Sequence, residues 1–224
     1  MNFLKKILGK NNKEIQKETF IKYLPKNPIV IDAGAHLGED SIEIAKIWPK
    51  AKIYSFEPAP LVFKKLKEMT KKYKNITPIK KALGEKNGKK IFYLSGNIND
   101  AASSLKQPNK VLTFFPEIPF EKKTIVSVVN LDHWVKKMKL ENIDLLWLDL
   151  QGSELDVLKS SKKTLSKVKV IHLEILFDEL YKNCPINTTL ETFLIKRGFT
   201  KIKETHCHKT FGNAVFINNK LLKI

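Results

Sequence analysis

Arginine is almost missing from this chain. Arg197 is the single arginine among 41 basic residues, set against 23 acidic ones for a formal charge of +18. Such a charge invites a nucleic-acid reading, because cations neutralise phosphates and release counterions. Surfaces that read phosphate or guanine favour the planar guanidinium fork, and lysines spread over every segment do not supply it. The excess therefore favours an anionic substrate or surface and makes nucleic acid the weaker partner. Cysteine is scarce as well: Cys184 and Cys207 build no disulfide framework, which suits a reducing cytoplasm. No apolar run nears the roughly 18 residues that would cross a bilayer. Residues 10–17 lack the apolar core and small-residue cleavage site of a secretory signal.

What is present fits one domain, since 224 residues suffice for a single α/β core. Residues 1–27 read as an N-terminal helical extension in which Phe3, Leu4, Ile7 and Leu8 share one face among lysines. That face is expected to lid the core, with peripheral contact at the inner membrane surface as the alternative. Residues 28–224 read as the domain itself. Apolar runs at 29–31, 53–56, 76–79, 143–150 and 168–175 alternate with amphipathic stretches, the pattern of a mainly parallel sheet covered by helices. Further strand-like runs at 90–94 and 124–130 flank the longest irregular segment, 95–123, which carries Gly96, Pro108, Pro116, Pro119 and the aromatics Phe114, Phe115 and Phe120. A loop of that length inside a compact domain is expected to be functional, here a substrate lid. A helix at 188–196 stopping at Gly198, then strands at 199–204 and 213–217, completes the pattern.

The first strand runs into Asp32-Ala33-Gly34-Ala35-His36-Leu37-Gly38, followed by an amphipathic helix. A strand, a glycine turn and a helix N-terminus aim backbone donors at a ligand beyond the carboxyl edge of the sheet. The spacing is not the G-x-G-x-x-G that cradles a pyrophosphate. S-adenosylmethionine asks instead for carboxylate donors and an acidic partner for its ammonium, which Asp32 and Gly34 fit. The second strand ends at Glu57-Pro58, and Glu57 follows Asp32 by 25 residues, near the roughly 20-residue offset at which an acid grasps a ribose diol. The two features together indicate an adenosine-containing cofactor, with NAD still allowed. The run at 143–150 is apolar from Leu145 to Leu148 and ends at Asp149, which places a carboxylate beside the cofactor cleft. The following strand ends in His172-Leu173-Glu174, with His172 and Glu174 expected on one face.

These landmarks, with Ala82-Leu83-Gly84, Ser103-Ser104-Leu105, Leu131-Asp132 and Asp149-Leu150-Gln151-Gly152-Ser153-Glu154, resemble in order and spacing those of FkbM-type methyltransferases across about residues 29–217. The resemblance implies an α/β class I methyltransferase fold: a Rossmann-like, seven-stranded, mainly parallel sheet with helices on both faces and an antiparallel final strand. It also implies S-adenosylmethionine as cofactor and O-methylation of a small-molecule or glycan acceptor. Asp32, Ala33, Gly34, Ala35, His36, Gly38, Glu57, Pro58, Ala82 and Asp149 become the cofactor candidates, and Ser103, Ser104 and Glu154 the acceptor candidates. Many relatives carry glutamate where this chain has Gln151, so a carboxylate role there is in doubt.

Methyl transfer from sulfonium to oxygen is an in-line displacement that needs alignment and a proton acceptor. Asp149, Glu174 and His172 are the catalytic candidates, while His36 is expected to shape its loop. Asp132 is expected to be a helix N-cap. A metal is not predicted: His206-Cys207-His208 would put two histidines on one face, but two ligands complete no site. Magnesium held by Asp149, Glu154 and Glu174 stays an open alternative. RNA ribose 2'-O-methylation is the runner-up, since a lysine could complete the Asp149/Glu174 pair. A noncatalytic cofactor-binding module is the reading from another class.

Overall fold

The computed structural model describes residues 15–96 and 101–222. The face formed by Phe3, Leu4, Ile7 and Leu8 lies outside the described residues. In chain order the strands are β1 (Ile29–Ala33), β2 (Lys52–Phe56), β3 (Ile76–Ile79), β4 (Ala82–Leu83), β5 (Gly88–Leu94), β6 (Lys122–Val129), β7 (Ile143–Leu148), β8 (Val168–Leu176), β9 (Phe199–His206) and β10 (Phe211–Asn218). The helices are α1 (Glu39–Ile47), α2 (Pro60–Thr70), α3 (Val111–Phe114), α4 (Leu131–Lys137), α5 (Glu154–Ser160), α6 (Lys162–Leu165), α7 (Asn187–Ile195) and α8 (Asn219–Leu222).

The main sheet has seven strands in the order β3-β2-β1-β7-β8-β10-β9. β10 alone runs against its neighbours, pairing antiparallel with both β8 and β9. This is the expected class I methyltransferase sheet with its antiparallel final strand. β7 is buried at every position, as its near-continuous apolar run demands for a strand covered on both faces. β9, at the sheet edge, buries only Phe199 and carries Lys201, Lys203 and Glu204, and charge on an edge strand opposes pairing with another chain. The runs between the third and fourth core strands form a separate three-stranded sheet, β4-β6-β5.

Residue alternation along the strands divides the core in two. Ile31, Leu146, Leu148, Ile171 and Leu173 pack against α4, α5, α6 and α7. Val30, Leu145, Trp147 and Val170 face α1 and the 3-10 turn Lys17–Phe20 on the other side. Ile15, Phe20 and Leu24 are buried there, so the described chain before β1 packs onto the sheet. Asp132 does not cap its own helix. Asn130 does so, its Oδ1 accepting the His133 N–H at 3.0 Å. The Asp132 carboxylate instead accepts the main-chain N–H groups of Lys163 (3.1 Å) and Thr164 (2.6 Å), joining α4 to α6.

The described part of the segment 95–123 is more regular than its composition suggests. β6 already begins at Lys122, and α3 lies within it. Ala102, Val111, Phe115 and Ile118 pack on Leu176, Leu180, Tyr181 and Phe211, so the described part forms an apolar cover over the ends of β8 and β10. Isolated bridges pin it at Tyr93–Ser104 and Pro108–Tyr181.

Candidate active site

Beyond the carboxyl ends of β1, β2 and β7 lies a cleft lined from all three strand ends, by Gly34, Glu57 and Asp149 among others. Its floor exists because two strand tips come very close. The Asp149 N–H donates to the Ala33 carbonyl at 2.9 Å. At Gly34 (φ +87°) a Cβ would stand 1.8 Å from the Asp149 carbonyl oxygen, so only glycine lets the chain turn there. The Gly34 and Ala35 N–H groups donate to the Phe56 carbonyl at 3.1 and 2.9 Å. That bond fixes the loop against β2 and places Glu57 at the rim.

Glu57 is buried, and its Oε1 accepts the Ala59 N–H at 2.7 Å. Burial pushes its pKa up to about 7, opposed by the main-chain donors of Ala59 and His36 and by the His36 ring. One end of the carboxylate is therefore fixed while the group lines the cleft. Pro58, Ala59, Val62, Leu83, Phe92 and Leu105 supply apolar walls, and His36, Ala82, Ser103 and Asp149 also line it.

At the other end the side chains form a connected network. Gln151 Nε2 donates to Asp149 Oδ1 at 2.6 Å and to Glu174 Oε2 at 3.0 Å. Its Oε1 accepts from the Tyr181 hydroxyl at 2.8 Å, and the same hydroxyl lies 2.8 Å from the Ala102 carbonyl. Burial raises the Asp149 pKa to about 6, with the Gln151 amide and His36 pulling it down and Asp40 pushing it up. Burial first, then Asp149 and Glu154, lift Glu174 well above the carboxylate range. The pair thus titrates as a unit in which Asp149 ionises more readily. Gln151 also links two cavities, because it walls both the main cleft and a smaller, mainly apolar one lined by Glu174 under the cover.

Several expected site residues lie elsewhere. Asp32 points to the α1 face, where Ser41 Oγ donates to its Oδ2 at 2.5 Å and also contacts Ser55 Oγ. Side chains alternate along β1, so Asp32 falls on the α1 face while Ile31 and Ala33 pack into the opposite core, and Asp32 braces the loop from the α1 side. Ala33, Ala35 and Gly38 contribute main chain only: Gly38 donates its N–H to the Ala35 carbonyl and begins α1 against Leu66 and Thr70. His172 shares the face of Glu174, as expected, but sits two residues deeper. It stacks on Trp147 at 3.5 Å, meets Phe20 edge-on, and burial lowers its pKa well below the ordinary value. A ring packed there belongs to the core and does not line the cleft.

Ser104 is fully buried; its hydroxyl donates to the Gln151 carbonyl (2.8 Å) and accepts the Lys106 N–H (2.9 Å), so it holds a turn. Glu154 Oε1 accepts the Leu150 N–H at 2.7 Å, and burial raises its pKa to about 8 against these main-chain donors. It secures the turn in which Gln151 (φ +52°) and Gly152 (φ +90°) reverse the chain. Ser103, by contrast, lines the cleft and accepts the Ser95 N–H. The magnesium alternative loses its geometry, because an amide separates Asp149 from Glu174 and Glu154 is engaged by main chain. His206 stacks on Phe177 while His208 bonds Thr210 in the next turn, so the two histidines do not converge. Among the described residues no group of three or more His, Cys, Asp or Glu is placed to hold a metal ion.

Sequence reasoning missed Tyr181, as well as Lys81 and Phe92, which line the cleft. Phe92 belongs to β5, in the second sheet, and no local pattern marks it as a cleft wall. Tyr181 lies 30 residues from Gln151 in a stretch without strand or helix periodicity.

The Methyltransferase FkbM domain model matches residues 32–201. A 2-O-methyltransferase, NoeI, of Sinorhizobium fredii is 30% identical over 171 residues, spanning 74% of this chain and 70% of that protein. Among solved structures, an FkbM methyltransferase from Methylobacillus flagellatus superposes with a TM-score of 0.56 at 14% identity, over 86% of this chain and 44% of that one. TrmK of M. capricolum, solved with S-adenosyl-homocysteine, superposes with a TM-score of 0.52 at 12% identity, over 90% of this chain and 67% of that one.

Proposed function

Because this chain belongs to the FkbM methyltransferase family, we propose that it moves a methyl group from S-adenosylmethionine to a hydroxyl oxygen of a small carbohydrate, glycan or natural-product-like acceptor. The observation that carries the reading is one cleft bounded by Glu57 at the end of β2 and Asp149 at the end of β7. The NoeI relative supports oxygen as the methyl acceptor, and the solved relative with S-adenosyl-homocysteine supports the cofactor.

The residues present fit that cofactor. Glu57, with one oxygen held by Ala59, is an acceptor for a ribose diol. Val62, Leu83, Phe92 and Leu105 offer apolar walls suited to a flat base, and Asp149 offers a negative partner for an ammonium or sulfonium. No run of glycine donors prepares a diphosphate cradle, which disfavours a dinucleotide. When bound, the cofactor supplies an electrophilic methyl on sulfonium sulfur.

This chain's own groups do the rest. The cover of Ala102, Val111, Phe115 and Ile118 excludes water from the Glu174 side. Asp149, ionised near neutrality, accepts the proton as the acceptor's O–H bond breaks and the new C–O bond forms. The pair is bridged by the Gln151 amide rather than by a lysine ammonium, which favours small-molecule over RNA ribose methylation. The same reading has the enzyme work in a reducing cytoplasm, which suits two cysteines that form no disulfide among the described residues.

Calorimetric titration with S-adenosylmethionine, S-adenosylhomocysteine and NAD tests the cofactor, and a panel of sugar, glycan and RNA acceptors with radiolabelled methyl donor tests the class. Micromolar binding of the first two ligands, lost in Glu57→Ala, and label in a sugar hydroxyl are expected. Preference for NAD, or label only in RNA, overturns the reading.

A further inference from the structure

Among the described residues the Gln151 amide is the one group that bonds both carboxylates of the pair. Its nitrogen has two hydrogens, one for Asp149 Oδ1 and one for Glu174 Oε2. An amide turned end for end would present its carbonyl oxygen to both carboxylates, a repulsive arrangement unless one of them picks up a proton. Something must therefore hold the amide in its useful orientation. That group is Tyr181, fully buried, whose hydroxyl donates to the carbonyl end of Gln151.

We infer that Gln151 and Tyr181 act as positioning residues: Tyr181 fixes the direction of the Gln151 amide, and the amide keeps Asp149 available as a proton acceptor beside Glu174. The catalytic meaning rests on the methyltransferase reading above, whereas the hydrogen-bond geometry does not. Tyr181 also lies within reach of the Ala102 carbonyl, so one hydroxyl proton serves both the apolar cover and the amide. The cover and the carboxylate pair thus share a donor, and displacement of Ala102 would commit that proton to Gln151.

The groups facing the pair are few. Glu154 approaches from α5 and adds to the cost of charge on Glu174, while Tyr181, from the segment after β8, has its own pKa raised by burial and by the carboxylates around it and so keeps its proton to donate. On the cleft side His36 favours ionised Asp149 and Asp40 opposes it. Opposite Glu174 on β10 stands Asn213, which does not titrate. The cover residues Ala102, Val111, Phe115 and Ile118 carry no charge. The Gln151 amide is thus the nearest donor that favours ionisation of both carboxyl groups, and its loss has a defined sign.

The test is carbon-13 NMR titration of protein labelled at Asp and Glu carboxyls, with Asp149→Asn and Glu174→Gln assigning the two signals. Tyr181→Phe keeps the ring and should raise the midpoint of the Asp149 signal by about one pH unit, the worth of one hydrogen bond. Gln151→Met, similar in length without donors, should raise it further. In wild-type protein the Gln151 side-chain amide resonances should shift through the same midpoint, a measurement that needs no variant. Unchanged or lowered midpoints in both variants, or amide signals indifferent to the carboxyl titration, would overturn the inference. Thermal melts and S-adenosylhomocysteine binding report whether the variants fold. If wild-type protein binds neither S-adenosyl compound while the midpoints shift as stated, the methyltransferase reading fails and the positioning of the amide stands.

Discussion

At the β1 and β2 end of the cleft, Gly34, Glu57 and Pro58 come from consecutive strands and are held by main chain, through the Phe56 carbonyl and the Ala59 N–H. At the β7 and β8 end, Asp149, Gln151, Glu174 and Tyr181 are held by side chains that bond one another. The first end is a geometric device: close strand tips, one glycine and one carboxylate with an anchored oxygen. The second is an electrostatic device, in which buried carboxyl groups are kept partly ionised by one amide. A buried polar network is costly when any member loses its partner, so the second end should respond to pH and to single-atom changes, and the first to steric ones.

Gly34→Val should break both ends at once. A side chain at positive φ costs about 1–3 kcal/mol, and here its Cβ would also push the Asp149 carbonyl away from β1. We expect loss of S-adenosylmethionine binding in calorimetry and a melting temperature lower by roughly 5–10 °C.

Glu57→Ala should separate the ends. Losing hydrogen bonds to a charged acceptor, at about 1.5–3 kcal/mol, weakens S-adenosylmethionine by roughly 10–100-fold. Because the Glu57 pKa is pushed up to about 7, wild-type affinity should rise between pH 6 and pH 8 as the carboxylate ionises, and the variant should lose this rise. If the Asp149 NMR midpoint also moved in Glu57→Ala, the two ends would not be independent.

Glu154→Gln sharpens the electrostatic side. With its pKa raised to about 8 in the fold, Glu154 binds its proton more tightly when folded than when unfolded. The stability this adds is complete below the unfolded pKa and is lost as pH rises through 8. Melting temperature without ligand should therefore fall from pH 5 to pH 8.5, and the fall should shrink by a few degrees in Glu154→Gln. An equal fall in both proteins would place the cost of charge elsewhere.

The smallest effect is expected from Ser104→Ala, which removes a hydrogen bond to the Gln151 carbonyl worth about 1 kcal/mol. Affinity for S-adenosylmethionine should stay within about twofold of wild type, and a large loss would return Ser104 to the binding site.

The legible part of the site was the part written locally. Gly34 and Glu57 announce themselves because a strand-turn-helix and a second strand end are short patterns. Asp149 was legible for the same reason, as the first carboxylate after an apolar run. Asp32, one residue before the tip of β1, was misread because a cleft lies at the end of a strand while side chains alternate across it. His172 failed likewise: it shares a face with Glu174, but depth along β8 decided between cleft and core. Gln151 looked like a departure from the expected carboxylate and proved to be the hub of the network.

The sequence alone determined the sheet, because buried apolar runs admit few solutions and βα alternation orders most of them. It also determined the glycine turn, since positive φ and close backbone approach leave no other residue. Only the tertiary structure decided which carboxyl groups meet, how Tyr181 reaches Gln151 and where the cover settles. Those contacts join residues 23 to 79 positions apart, and no local periodicity records a distance closed only when strands, turn and cover pack together.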